Sequence, residues 1–136
     1  MTERSKRETE LEGLKDRVTH AKNFLCGYQL CLDMLHLRRY ERKRTYHFEA
    51  DSDCGDLLAG NEALWRARMY EVRALVDSMK NGREKLIIYY HYIRGESIGS
   101  AADLLGCSRR TGYRLHKRGL LTVSALMERV KRQEER

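Results

Sequence analysis

Three features of the sequence predict an all-α fold. The 136 residues contain no proline, β-branched residues are sparse, and apolar residues recur at intervals of three and four over long stretches. A chain of this length holds one domain, or a small domain with a helical arm. The expected arrangement is a helical hairpin with coiled-coil character over residues 1–80, led by one long helix. A helix-turn-helix domain over residues 83–136 completes it.

Residues 1–10 are charged throughout. From Leu11 onward, Leu11, Leu14, Val18, Ala21, Leu25, Tyr28, Leu32 and Leu35 alternate three- and four-residue steps. That spacing describes a heptad seam, and an ordinary amphipathic helix packed on its own chain gives the same stripe. An unbroken helix over residues 3–44 is about 60 Å long. The later stretch able to cover it, residues 61–79, reaches only about 30 Å. Either the helix breaks near Gly27, or the 11–35 seam pairs with a second copy in a homodimer. Pairing is favoured, because an interior glycine costs only about 1 kcal/mol and need not break a helix.

Arg38, Arg39, Arg42, Lys43 and Arg44 crowd the end of that helix, where its dipole favours cations; a secondary phosphate contact is the alternative. Residues 45–60 carry glycines and acids without lasting period and read as a loop, with a short turn at 56–58. Asn61 then caps a second helix whose core stripe is Trp65, Met69, Val72, Val76 and Met79, stopped by Asn81-Gly82, with the glycine taking positive φ. Residues 83–94 form a third helix that buries Leu86, Ile87, Tyr90 and Ile93, while Tyr89, His91 and Tyr92 lie elsewhere.

Residues 97–118, SIGSAADLLGCSRRTGYRLHKR, have the pattern of a helix-turn-helix. Ser97 caps its first helix, Ala101 and Ala102 allow a close helix crossing, and Gly106 takes the left-handed conformation that ends it. Cys107 turns its small sulfur inward, and Ser108 caps the next helix. On that helix Arg109, Tyr113 and Lys117 recur every four residues beside Arg110 and Arg114. With Ser108, Thr111 and Arg118 they form the expected DNA-binding set. Arginine can hold guanine through two hydrogen bonds, and cations on one stripe meet phosphates. A merely solvated basic helix is the plainer reading. Leu120, Val123, Met127 and Val130 continue at helical spacing, either through Gly119 or after a restart.

The stretches EKLIIYYHYIRGESI, AADLLGCS and SRRTGYRLHKRGL resemble the fourth conserved region of sigma factors. More closely, residues 83–121 resemble small sigma-like regulators of phages and prophages in Gram-positive bacteria. The resemblance implies a helical amino-terminal part, double-stranded DNA as partner, and gene control as an activator or sigma-like factor that also touches RNA polymerase. Gly112 departs from the family pattern, which places a branched apolar residue there. It either permits a closer approach of the helices or softens the recognition helix.

Charge supports the same end of the chain. The net charge of +7 divides into 11 basic against 7 acidic residues over 1–48, 4 against 7 over 49–82, and 12 against 6 over 83–136. A basic excess at the helix-turn-helix suits a polyanion, nucleic acid before an anionic membrane. No segment approaches the roughly 20 apolar residues that span a bilayer, and no secretion signal opens the chain. A cytoplasmic protein with reduced cysteines is therefore expected. Cys26 and Cys31 project about 140° apart on a helix and no zinc spacing occurs, so no metal and no cofactor are expected and the cysteines are taken as small buried side chains. There is no GxxxxGK loop, HExxH motif or nucleophile elbow, and no enzyme is expected.

The expected function is that of a sequence-specific transcription regulator, with phosphate contacts supplying salt-sensitive affinity and residues 108–118 reading base edges. Two alternatives share the pattern. One is a phage DNA-packaging (terminase) small subunit; the other is an interaction module that has lost DNA binding.

Overall fold

The first helix passes Gly27 without a break. The computed structural model describes residues 3–45 and 52–135, and in it α1 spans Glu3–Thr45. At 43 residues it is about 65 Å long. α2 spans Ser52–Asp77, α3 Arg83–Ile88, α4 Ile98–Leu104 and α5 Arg109–Glu134. Every element among the described residues is helical, as expected of an all-α chain.

α2 begins nine residues before the expected cap at Asn61, and the loop expected over 45–60 is helical from Ser52. Two glycines at 55 and 60 cost the helix only about 1 kcal/mol each. Of the expected loop, residues 46–51 lie outside the described residues. The helix ends at Asp77, and Ser78 Oγ donates to the Leu75 carbonyl at 2.6 Å. Gly82 has φ 167°, an extended conformation open to any residue, so the positive φ expected there is not used.

A longer α2, of about 39 Å, and the far half of α5 both lie along α1. Together they cover more of the seam than residues 61–79 alone could. Ala21, Leu25 and Tyr28 are buried, and Val18 and Leu32 pack against the same core. The seam is thus filled within the chain from Val18 onward, while Leu11 and Leu14 remain 57% and 44% exposed. From α2 the core takes Val72, Leu75 and Val76, joined by Met79 just beyond, and from α5 Leu120 and Val123. Trp65 and Met69 are half-buried at its edge. Arg38, within the basic cluster, reaches across to Glu62 of α2 at 3.8 Å and is therefore turned towards α2 instead of towards a phosphate. The side chains of residues 42–44 lie outside the described set.

α3 continues into a π-helical turn, Tyr89–Ile93, in which the Arg94 amide donates to the Tyr89 carbonyl. One extra residue in the turn rotates the residues after it about the helix axis. The buried set is Ile87, Ile88, Tyr92 and Ile93, not the expected Leu86, Ile87, Tyr90 and Ile93: across the turn the buried pair recurs after five residues, while Leu86 is 40% exposed and Tyr90 half-buried. The carbonyls left over at this helix end find a donor on α1. Gln29 Nε2 donates to the Ile93 carbonyl at 2.8 Å and to that of Tyr92 at 3.3 Å. Gly95, with φ 76°, then turns the chain away.

α5 is one unbroken helix of 26 residues. Gly119 does not interrupt it, because it serves a close approach: a Cβ there would stand 2.6 Å from Ile88 Cγ1. The expected burial of the cysteines holds for Cys31, whose thiol is pushed up by burial, with Arg68 opposing. It fails for Cys26, which faces solvent from the other side of α1, as a separation of about 140° requires.

Candidate nucleic-acid interface

The turn between α4 and α5 is closed by local chemistry on both sides. Ser97 Oγ accepts from the Ser100 amide at 3.1 Å and starts α4. α4 ends in a Schellman motif. The Cys107 amide donates to the Ala102 carbonyl at 3.0 Å and the Gly106 amide to that of Asp103 at 3.1 Å, with Gly106 at φ 68°. Ser108 Oγ accepts from the Thr111 amide at 3.2 Å and starts α5. Every orphan group used here is satisfied within a few residues, so the turn is stiff.

The two helices then touch at Gly112. A Cβ on Gly112 would lie 2.8 Å from the Ala102 Cβ and 3.6 Å from Ile98 Cγ2. Of the two roles open to Gly112, close approach is the one the geometry uses. Ala101 and Ala102 are fully buried, as a tight crossing requires. Cys107 is half-buried in the turn.

This packing decides which residues face outward. Gly112, Gly119, Leu120 and Val123 point inward, while Arg110, Tyr113, Arg114, Lys117 and Arg118 are exposed, Tyr113 at 60%. Ser108 and Arg109 are exposed too, but both are partly engaged. Ser108 is the cap, and Arg109 folds back so that its Nε would lie 3.1 Å from a Cβ on Gly99 of α4. Thr111 is half-buried, and its hydroxyl accepts from Ser108 Oγ at 3.0 Å. The eight expected residues therefore divide. Arg110, Tyr113, Arg114, Lys117 and Arg118 form an open stripe, whereas Ser108, Thr111 and Arg109 build or brace the helix start. Among the described residues no ion pair engages the cations of the stripe.

Beneath the stripe lies a polar contact that periodicity alone did not reveal. Tyr92 and His116 are joined by a 2.7 Å hydrogen bond between the phenol oxygen and Nε2. Burial, then His91, then Lys22 lower the His116 pKa to about 4, so the ring is neutral at pH 7. Burial also holds the Tyr92 phenol protonated. His91 Nδ1 donates to the Glu96 carbonyl at 2.6 Å and sets its ring edge-on to both Tyr92 and His116. A histidine at position 116, four residues after Gly112 and three before Gly119, shares their inward face; that spacing was the available signal.

Comparison with known proteins supports the same segment. The Homeodomain-like domain family matches residues 80–119, which hold α3, the π-helical turn, α4 and the first part of α5. No curated protein and no solved structure matches the chain. The carboxy-terminal part is a helix-turn-helix domain, an arrangement consistent with binding double-stranded DNA. No helix among the described residues is long and apolar enough to cross a membrane.

Proposed function

We propose that this chain is a sequence-specific DNA-binding transcription regulator, a binding protein and not an enzyme, whose α5 enters the major groove by its first turns. One observation carries the reading. Arg110, Tyr113, Arg114 and Lys117 stand exposed on a single stripe of a helix whose start is capped by Ser108 and pressed onto α4 at Gly112. A rigid helix presenting guanidinium groups and an aromatic ring can meet base edges, while Lys117 and Arg118 supply phosphate contacts.

The sequence resemblance extends the proposal to a sigma-like regulator of phage or prophage origin that contacts RNA polymerase of its bacterial host. In a homodimer two such helices would read two half-sites. Selecting bound fragments from a random duplex pool, with and without RNA polymerase, tests all of this. The expected result is an enriched motif and binding that weakens as salt rises, with tighter retention when polymerase is present. Recovery of unenriched fragments under both conditions would overturn sequence-specific reading. A motif whose retention is indifferent to polymerase would remove the sigma-like part alone.

A further inference from the structure

The amino-terminal end of α1 runs past the core that covers the rest of its seam. Leu11 and Leu14 stand on the same heptad positions as Val18, Ala21 and Leu25, yet both are largely exposed while Ala21 and Leu25 are completely buried. The bundle supplies these two leucines with too little cover. An apolar groove of about 990 Å³ opens further along α1, lined among others by Phe24 of α1 and by Met127 and Val130 of α5, and neither leucine reaches it.

We infer that a second copy of this chain covers the overhang, with the two α1 helices antiparallel and Leu11 of each set against Leu14 of the other. Charge selects both the partner and the direction. In the heptad frame that places Leu11 and Leu14 in the seam, Glu8 and Lys15 share one flanking position and Glu10 and Arg17 share the other. An antiparallel pair centred on the leucines brings Glu8 opposite Lys15 of the second copy and Glu10 opposite Arg17 of the second copy. The two-fold axis repeats both contacts, so both flanking pairs beside the leucine layers are attractive. A parallel pair in register gives one attraction, Glu10 with Lys15. It also sets Glu3 against Glu8 and Arg17 against Lys22, both repulsive.

Arg17 already meets Glu128 of its own α5 at 3.6 Å, but both side chains are about half exposed and such a pair is easily exchanged. Beyond the leucine layers, the seam positions are Arg4 and Arg7 on one side and Val18 and Ala21 on the other. Ala21 is already filled from within its own bundle, so the contact ends at the layer of Arg7 and Val18, where the arginine stem lies along the half-buried valine with its charged end in water. Two leucine layers make a small interface, so the dimer is weak and reversible. This places the contact at the exposed end of the seam, and it needs nothing from the DNA reading.

Sedimentation velocity of the full chain without DNA, over about 5–300 μM, tests the inference. The wild type is expected to pass reversibly from monomer to dimer. Leu14→Glu should weaken association at least tenfold, and Glu10→Arg and Arg17→Glu should each weaken it severalfold. Combined in one chain, Glu10→Arg and Arg17→Glu exchange the charges and should restore association to within about twofold of the wild type. All of these positions are exposed, so circular dichroism should be unchanged in every variant. A monomer across the whole range overturns the inference, as does a dimer indifferent to Leu14→Glu or a double variant no better than the singles. Because DNA is absent, failure here leaves the fragment selection standing, and failure of that selection leaves this result standing.

Discussion

Tyr92 and His116 are joined by a 2.7 Å hydrogen bond that ties the π-helical turn to the inward face of α5. The imidazole is kept neutral by burial first, then by the nearby His91 and Lys22, all of which disfavour its charged form. With a pKa of about 4 in the folded chain against about 6.5 unfolded, the unfolded chain binds more protons between those values. The stability owed to this site is therefore complete above about pH 6.5 and is lost as the pH falls towards 4. The expected loss is of the order of 2 kcal/mol, allowing for partial solvent access. Urea midpoints at pH 7 and pH 4.5 check it, and His116→Gln should flatten the difference.

Gly112 lies where any larger residue meets Ala102. Gly112→Val should destabilise the chain by about 1–3 kcal/mol, because the methyl of Ala102 is rigid and one helix must move. Gly112→Ala combined with Ala102→Gly returns the space and should recover a large part of the loss suffered by Gly112→Ala alone. Thermal melts of Gly112→Ala, Ala102→Gly and the double variant measure this coupling. An additive outcome would mean that the close approach is not what limits residue 112.

Removing the cap at the start of α5 should matter locally. Ser108→Ala loses the acceptor for the Thr111 amide and should cost about 1 kcal/mol. Ser108→Asp keeps an acceptor and should retain most of the stability. Its added charge beside Arg110 and Arg114 should still weaken binding to duplex DNA, so melting temperature and affinity would separate in this variant.

For the open stripe, Arg110→Ala or Arg114→Ala should cost about 1–3 kcal/mol on a preferred duplex if the side chain reads a base, and much less on a random one. Lys117→Ala should weaken both duplexes alike and lower the salt dependence by about one ion. Fluorescence anisotropy on the two duplexes distinguishes these outcomes. Equal losses for all three residues would assign the whole stripe to the phosphate backbone.

The chemistry legible in the sequence is the chemistry that acts between neighbours. Ser97, Gly106 and Ser108 announce a cap, a left-handed stop and a second cap, and each does so through atoms within a few residues. The exposure of Arg110, Tyr113, Arg114 and Lys117 accords with their spacing along one side of a helix. The π-helical turn was not legible, because its unpaired carbonyls are answered by Gln29, more than sixty residues away in sequence. The start of α2 was missed because glycines 55 and 60 resemble a loop, although each costs a helix little. The fate of the seam depended on α5 lying along α1, a tertiary fact that the heptad pattern leaves open.

Gly119 is pinned beneath Ile88, so the place where α5 looks easiest to bend is a fulcrum and not a hinge. The residues beyond it span about 22 Å. A tilt of about 10° at the groove end would sweep the opposite tip through about 4 Å. Were the exposed stripe to dock on a duplex, such a tilt would reach Glu128 and its partner Arg17 on the long helix.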